Sequence, residues 1–284
     1  MIHLVLGLGE VGKATSKILS RRHEVWGVDI GHAVDPKGNR IEVQHVMERI
    51  AVDGGSVGIM HVALNAYAIG RDKFISVVQD YLRMFKPGIM DVLSTVWPGT
   101  TESFGPRAVH STTRGLHPNL YEGIMAIPKH IGGPKAGVLA AEFSACGVKC
   151  VTHRKARTTE WAHLLHLVDY GVQIMSADMK AAACRHGNVD YLEAVTRYCD
   201  THNSGFLAMD MPSKVRMNLL PSGGKIGGHC VMAAAKLALD SGFTNHIVSA
   251  LAEYNGEPIK GGDQDPQQQP CWVYGCEDDH AEAA

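Results

Sequence analysis

No stretch of this chain approaches the roughly 20 consecutive apolar residues that a bilayer-spanning helix needs, so no membrane span is expected. Charge of one sign is missing as well. Lys and Arg number 27 against 29 Asp and Glu, a formal net charge of −2. That balance gives no electrostatic reason to expect nucleic acid or an anionic membrane as a partner. A disulfide framework is also absent. The seven cysteines (Cys146, Cys150, Cys184, Cys199, Cys230, Cys271, Cys276) are odd in number and scattered, which fits reduced thiols inside a cell. The first residues carry no basic segment ahead of their apolar stretch, so they do not read as a secretion signal. A cytoplasmic protein is the expectation, and no internal repeat is seen. The 284 residues, 45% of them apolar and 20% charged, suit a globular protein of about two domains.

What the chain does contain is concentrated at its start. Met1-Ile-His-Leu-Val-Leu-Gly7-Leu-Gly9-Glu10-Val11-Gly12 runs from an apolar strand into a glycine turn and a helix. Gly7 allows the tight turn, Gly9 lets a pyrophosphate come close, and Gly12 lets the helix pack on the strand. The helix start, at Glu10 and Val11, offers N–H groups and a partial positive charge to phosphates. A second strand, Glu24-Val-Trp-Gly-Val-Asp29, ends in a carboxylate placed for the adenosine ribose hydroxyls. Asp29 would repel a 2′-phosphate, so NAD rather than NADP is the expected cofactor.

Residues 1–153 alternate strand-like and helix-like segments, the pattern of a parallel sheet covered by helices on both faces. Strands are expected at 57–64, 89–93, 108–111, 130–133 and 148–152, with helices at 72–85 and 136–146. From Thr158-Thr159-Glu160 an apolar stripe at helical spacing (Trp161, Leu164, Leu165, Val168, Val172, Met175, Met179) predicts one long helix reaching about Arg185. At about seven turns it is too long for a crossover. The fold class is therefore α/β, a Rossmann-type domain over 1–153 followed by an all-helical domain over 154–260 built on that helix. Further helices are expected at 190–203 and 229–241. Residues 261–284 have linker and tail composition.

A second chemical segment is Ile226-Gly227-Gly228-His229-Cys230. Cys230 would fall in the first turn of the next helix, where N–H groups and the dipole favour a thiolate able to attack an aldehyde. A small buried residue packing the loop is the competing explanation. Glu160, His163 and His166 share a helix face at metal-ligand spacing, but such spacing is frequent among 16 histidines, and no metal is expected there.

The chain resembles the UDP-glucose/GDP-mannose 6-dehydrogenase family at four places in the right order. These are Gly7-Leu-Gly-Glu-Val-Gly12, Ser94-Thr95-Val-Trp-Pro-Gly-Thr-Thr101, Thr159-Glu160 and Ile226-Gly-Gly-His-Cys230. The resemblance covers residues 1–245. It implies a threonine (Thr95) near nicotinamide and substrate, a nucleophilic cysteine (Cys230), and a homodimer through the long helix. Departures touch the chemistry. His163 stands where the family has a lysine, Leu167 where it has an asparagine, and Asn119 follows Pro118 where it has an acid. The family's C-terminal nucleotide-sugar domain is expected to be missing. His163 can replace the lysine as an acid–base group. A single hydride step on a smaller alcohol, aldehyde or keto acid is thus expected. Two alternatives stay open: a small-hydroxyacid dehydrogenase resembling the 6-phosphogluconate and 3-hydroxyisobutyrate enzymes, and an inactive dinucleotide-binding sensor.

Overall fold

The computed structural model describes residues 1–52, 57–116, 119–226 and 230–254, with the side chains of 50–52 excepted. Pro118, Gly227, Gly228, His229, Cys271, Cys276 and the tail at 261–284 lie outside the described residues. The chain forms two compact units. Unit 1 comprises residues 1–167 and 233–245, and unit 2 comprises 168–232 and the residues from 246 onward.

Unit 1 is an α/β layer structure around one nine-stranded sheet. Its strands are β1 (Ile2–Leu6), β2 (Glu24–Asp29), β3 (His32–Val34), β4 (Arg40–Ile41), β5 (Ile59–Val62), β6 (Ile89–Val92), β7 (Ala108–Ser111), β8 (Lys129–Gly132) and β9 (Cys150–His153), in the order β4-β3-β2-β1-β5-β6-β7-β8-β9. The central run β2-β1-β5-β6-β7 is parallel. Chain order reverses where β1 lies between β2 and β5, and loops that leave parallel strands on either side of such a point open a crevice beyond their carboxyl ends. Helices α1 (Glu10–Leu19), α2 (Val43–Val52), α3 (Ala66–Ile69), α4 (Arg71–Phe85), α5 (Leu120–Ala126) and α6 (Ala136–Ala145) connect the strands.

Strands buried on both faces read as largely apolar runs, and β1, β5 and β6 do so apart from one polar residue in each, His3, His61 and Asp91. Val5, Ile59, Ile89, Val109 and Ile131 pack with Ile18 and Leu19 of α1 and with Leu139 and Phe143 of α6. Phe74, Val78 and Phe85 of α4 are buried as well. Helix α4 stops at Lys86, which takes a left-handed conformation with its N–H on the Leu82 carbonyl, just before Pro87-Gly88.

The sheet departs from the expected parallel pattern at one edge, where β2, β3 and β4 are antiparallel. The residues explain it. Gly31 has φ +72°, which permits the two-residue turn between Asp29 and His32. Asp35 then ties the next turn, its Oδ1 accepting from the N–H groups of Lys37 (2.9 Å) and Asn39 (2.8 Å). β7 and β8 are antiparallel too, and this sets Lys129, at the start of β8, beside the carboxyl end of β7.

The long helix α7 spans Ala156–Gly187, so it starts two residues ahead of the Thr158 expected to cap it. The Thr159 hydroxyl bonds inward instead, to the Ala156 carbonyl at 2.9 Å and the His110 ring at 2.9 Å. Residues 156–167 of α7 belong to unit 1 and the rest to unit 2. Unit 2 continues through a π-helical turn at Leu192–Arg197 into α8 (Tyr198–Ala208) and includes α10 (His246–Glu253). Asp178 is its polar anchor, accepting from Ser222 N (2.6 Å), Ser222 Oγ (2.6 Å) and Tyr254 Oη (2.7 Å). Helix α9 (Cys230–Asp240) follows residues 227–229. No described helix is long and apolar enough to cross a membrane.

Candidate functional site

The glycine turn is held by contacts that leave no room for side chains at two of its three glycines. Gly7 has φ +91° and donates its N–H to the Val28 carbonyl at 2.8 Å. A Cβ there would lie 2.5 Å from the Ala63 carbonyl oxygen, and one on Gly12 would lie 1.8 Å from that of Gly7. A Cβ on Gly9 would meet nothing within 4 Å. Gly9 is the N-cap of α1, no side chain caps that helix, and Glu10, Val11 and Gly12 form its first turn. An uncapped helix start beside open space is an anion site in waiting.

Asp29 ends β2 at the same edge. Its Oδ2 accepts from Leu8 N at 2.8 Å and its Oδ1 from Ile30 N at 2.7 Å. An ionised carboxylate has about four acceptor positions, so both oxygens keep capacity for further donors. Ile30, next in sequence, is 93% exposed.

Hydrogen bonds carry the edge from β1 to β6. Ser94, just beyond β6, accepts from Leu64 N at 3.0 Å and donates to the Val62 carbonyl at 3.2 Å. The loop from Ser94 to Thr101 is then clamped by α7. Glu160 Oε2 accepts from Gly99 N at 2.6 Å and Oε1 from Thr101 N at 2.8 Å. Glu160 is buried, and burial raises its pKa while those N–H bonds work against the rise. With both oxygens on the backbone, Glu160 positions the loop.

That clamp sets Thr95 against the next turn of α7. Thr95 Oγ1 and His163 Nε2 lie 3.2 Å apart. Burial first, then the charges of His166, Lys129 and Arg114, lower the His163 pKa to about 4. The imidazole is therefore neutral at physiological pH. The His110 ring stands edge-on to it at 6.3 Å. Burial also holds His110 well below the usual imidazole range.

Lys129 is the group that reading the sequence did not single out. It is 3% exposed, donates from Nζ to the Thr112 carbonyl at 3.0 Å, and lies over the Phe143 ring at 4.9 Å. Burial brings its pKa down to about 8, against the pull of Asp91. Sequence alone carries no signal for it, because its burial follows from the pairing of β8 with β7.

The structure thus collects Gly7, Gly9, Gly12, Asp29, Thr95 and His163 along the carboxyl edge of unit 1. Cys230 belongs to unit 2, where it is half-buried as the first residue of α9. Glu160, His163 and His166 do not converge as metal ligands: Glu160 holds the loop and His166 is exposed. A cavity of about 260 Å³ lies beside α1, β2 and β3, lined among others by Leu8 of the glycine turn, Lys13, Lys17, Val34 and Asp35.

No family model matches the sequence, and no curated protein matches it. Solved structures do match in fold. One is a UDP-D-ManNAc dehydrogenase from Pyrococcus horikoshii, 19% identical with a TM-score of 0.66, the match covering 89% of this chain and 67% of that one. Another is an NDP-N-acetyl-D-galactosaminuronic acid dehydrogenase from Methanosarcina mazei Go1, at 15% identity and TM-score 0.63, covering 89% and 65%. A third is the 3-hydroxyisobutyrate dehydrogenase of Mycobacterium tuberculosis, at 16% and 0.58, covering 89% and 91%. The chain spans about two thirds of the length of the two sugar-nucleotide enzymes and most of the hydroxyacid enzyme. At these identities the likeness establishes the shared fold.

Proposed function

We propose that the chain is a cytoplasmic NAD-dependent oxidoreductase that passes a hydride between NAD and a small alcohol, aldehyde or keto acid. The observation that carries this reading is the Thr95–His163 pair, 3.2 Å apart, on the edge that also holds the glycine turn. The turn suits a dinucleotide: Gly9 leaves space for a pyrophosphate, the start of α1 favours its charge, and Asp29 can accept from ribose hydroxyls. Ile30 offers an exposed apolar surface for adenine beside that carboxylate. Bound nicotinamide would supply the hydride acceptor or donor.

In this reading Thr95 holds the substrate oxygen and His163, neutral above about pH 4, takes the hydroxyl proton or returns it. Its pKa of about 4 lies below the near-neutral value expected of a histidine in this role, because burial disfavours the imidazolium, so His163 is a weak base here. Glu160 acts on the loop and not on substrate. With His163 in place of a lysine and Leu167 in place of an asparagine, a single hydride step is favoured over two. The fold likeness to both sugar-nucleotide and 3-hydroxyisobutyrate dehydrogenases supports this class.

A covalent version would use Cys230, supported by its position opening α9. We further propose a homodimer, supported by apolar side chains that unit 2 leaves exposed, among them Met179, Leu192, Tyr198 and Met209. Sedimentation of a monomer at micromolar concentration would overturn the dimer.

The test of function is titration with NADH and NADPH followed by a screen of alcohols, aldehydes and keto acids. Tighter binding of NADH together with turnover supports the proposal. Binding without turnover on any substrate favours the sensor, and no binding of either nucleotide overturns both. Among active proteins, Cys230→Ser with near-normal turnover points to hydride transfer alone, whereas its loss supports the thiol as nucleophile.

A further inference from the structure

Four adjacent strands of unit 1 carry a diagonal of buried polar side chains through an otherwise apolar layer. Ser111 Oγ on β7 donates to Asp91 Oδ1 on β6 at 2.6 Å. Asp91 Oδ2 lies 2.8 Å from His61 Nδ1 on β5, and His61 Nε2 lies 3.0 Å from His3 Nδ1 on β1. Serine, aspartate and both histidines are buried, the two imidazoles fully. Buried polar networks are costly unless each member is satisfied. Here every atom finds a partner until the last, His3 Nε2, which is buried and has none among the described residues.

The hydrogen-bond order identifies what that atom presents. An aspartate that accepts from serine also accepts from His61, so His61 Nδ1 carries the hydrogen. His61 Nε2 then accepts, and His3 Nδ1 donates. His3 Nε2 is left as a bare lone pair. It faces a carboxylate, Glu142 Oε2, at 3.8 Å, beyond hydrogen-bond range. His23 Nε2 also has no hydrogen-bond partner and lies 3.4 Å from the same oxygen. Two ring nitrogens and a carboxylate oxygen thus lie within 4.8 Å of one another, and His3 Nε2 meets the other two with a lone pair.

We propose that His3, His23 and Glu142 form a binding site for a divalent transition-metal ion of the zinc class. Metal bonds of about 2.0–2.2 Å at tetrahedral angles place donor atoms roughly 3.4 Å apart, close to the two separations measured from Glu142. Two imidazoles with one carboxylate suit zinc and its neighbours rather than calcium or magnesium. The His3–His61–Asp91 chain is the support that metal-bound imidazoles typically have, an acceptor for the second ring N–H that fixes the tautomer. The side chains of His23 and Glu142 are partly exposed, at 12% and 21%. The site joins β1, the segment between α1 and β2, and α6. It lies at the amino end of the parallel strands, opposite the glycine turn, so the ion acts as a staple of unit 1 and has no part in hydride transfer.

The test uses the full chain, stripped with chelator and dialysed against Zn2+ or Co2+. One tightly held ion per chain is expected, with visible Co2+ bands of four- or five-coordinate intensity. Zn2+ should raise Tm by roughly 5–10 °C at a hundredfold excess over Kd. Glu142→Gln and His23→Gln, both at partly exposed positions, should each abolish the Co2+ bands and the Zn2+-dependent rise in Tm. Wild-type protein that binds no more Zn2+ than either folded variant, or that gives no visible Co2+ absorption, overturns the site. In that event any bound ion belongs to other histidines. NADH binding is unaffected in either outcome, which keeps this test separate from the dehydrogenase proposal.

Discussion

At the carboxyl end of the parallel strands Glu160 and His163 have bonded partners, whereas at the amino end His3 and His23 present ring nitrogens with no hydrogen-bond partner among the described residues. Both ends use imidazole and carboxylate, so residue type does not separate them. Connectivity does. Glu160 faces two backbone N–H groups, one on each oxygen, which fix a loop. Glu142 faces two imidazole nitrogens, His23 Nε2 at 3.4 Å and His3 Nε2 at 3.8 Å. A carboxylate held by backbone donors positions a loop, while the one beside His3 and His23 belongs to the cation site proposed above.

The largest effect should come from breaking the carboxyl end at its reacting pair. His163→Gln keeps a polar group near Thr95 but removes the acid–base function, a loss of roughly 100- to 10,000-fold in turnover. NADH affinity should stay within about twofold, because His163 lies outside the glycine turn; that factor assumes no loop movement. In the wild type, kcat/KM should hold as pH falls past 6.5 and decline only near pH 4, since burial places the His163 pKa there. Steady-state kinetics across pH 3.5–8 checks both. Unchanged turnover in the variant would remove His163 from the mechanism.

Next in size is the contrast between two glycines three residues apart. Gly12→Ala sets a methyl 1.8 Å from a backbone oxygen, and neither backbone can yield without opening the turn. A loss of roughly 3 kcal/mol or more is expected. Gly9 has φ −68° and ψ −166°, allowed for any residue, and open space around it. Gly9→Ala should leave stability within about 0.5 kcal/mol yet weaken NADH binding about tenfold or more, by filling the pyrophosphate path. Chemical denaturation paired with NADH titration reads both. Equal NADH affinity in Gly9→Ala and wild type would show that no pyrophosphate crosses there.

The glycine turn was legible because its signals are local: three glycines, a preceding apolar run and a carboxylate one strand later. The Ser94–Thr101 loop and the helical stripe of α7 were legible for the same reason, although Leu165 and Met179 of that stripe are exposed. The antiparallel edge was less so, though Gly31, Asp35 and Gly38 mark its turns. What sequence alone could not show is register. His3, His61 and Asp91 each sit singly in an apolar strand, and only the pairing of β1 with β5 and β5 with β6 lines them up. Glu142 is one acid on a helix until α6 lies over that face. Lys129 was hidden likewise, since its burial depends on β8 running antiparallel to β7.

Lys129 lies where the two ends meet, between the Thr112 carbonyl at the carboxyl edge and the field of Asp91 on the buried diagonal. Its folded pKa of about 8 lies below the ordinary 10.5, so the folded state disfavours the ammonium relative to the unfolded chain. Below pH 8 both states are protonated, and the cost of burying the charge is present in full. Between pH 8 and 10.5 the unfolded chain binds more protons than the folded one, so stability rises with pH through that window. The gain is up to about 3 kcal/mol, from 1.36 kcal/mol per unit of difference. Lys129→Met removes the titration while filling similar volume, and its stability curve should lack this rise. Urea denaturation of both proteins at pH 7, 8, 9 and 10 measures the difference. Parallel curves would mean that the ammonium is well solvated, and that the diagonal from Asp91 to His3 does not share its charge with the carboxyl edge.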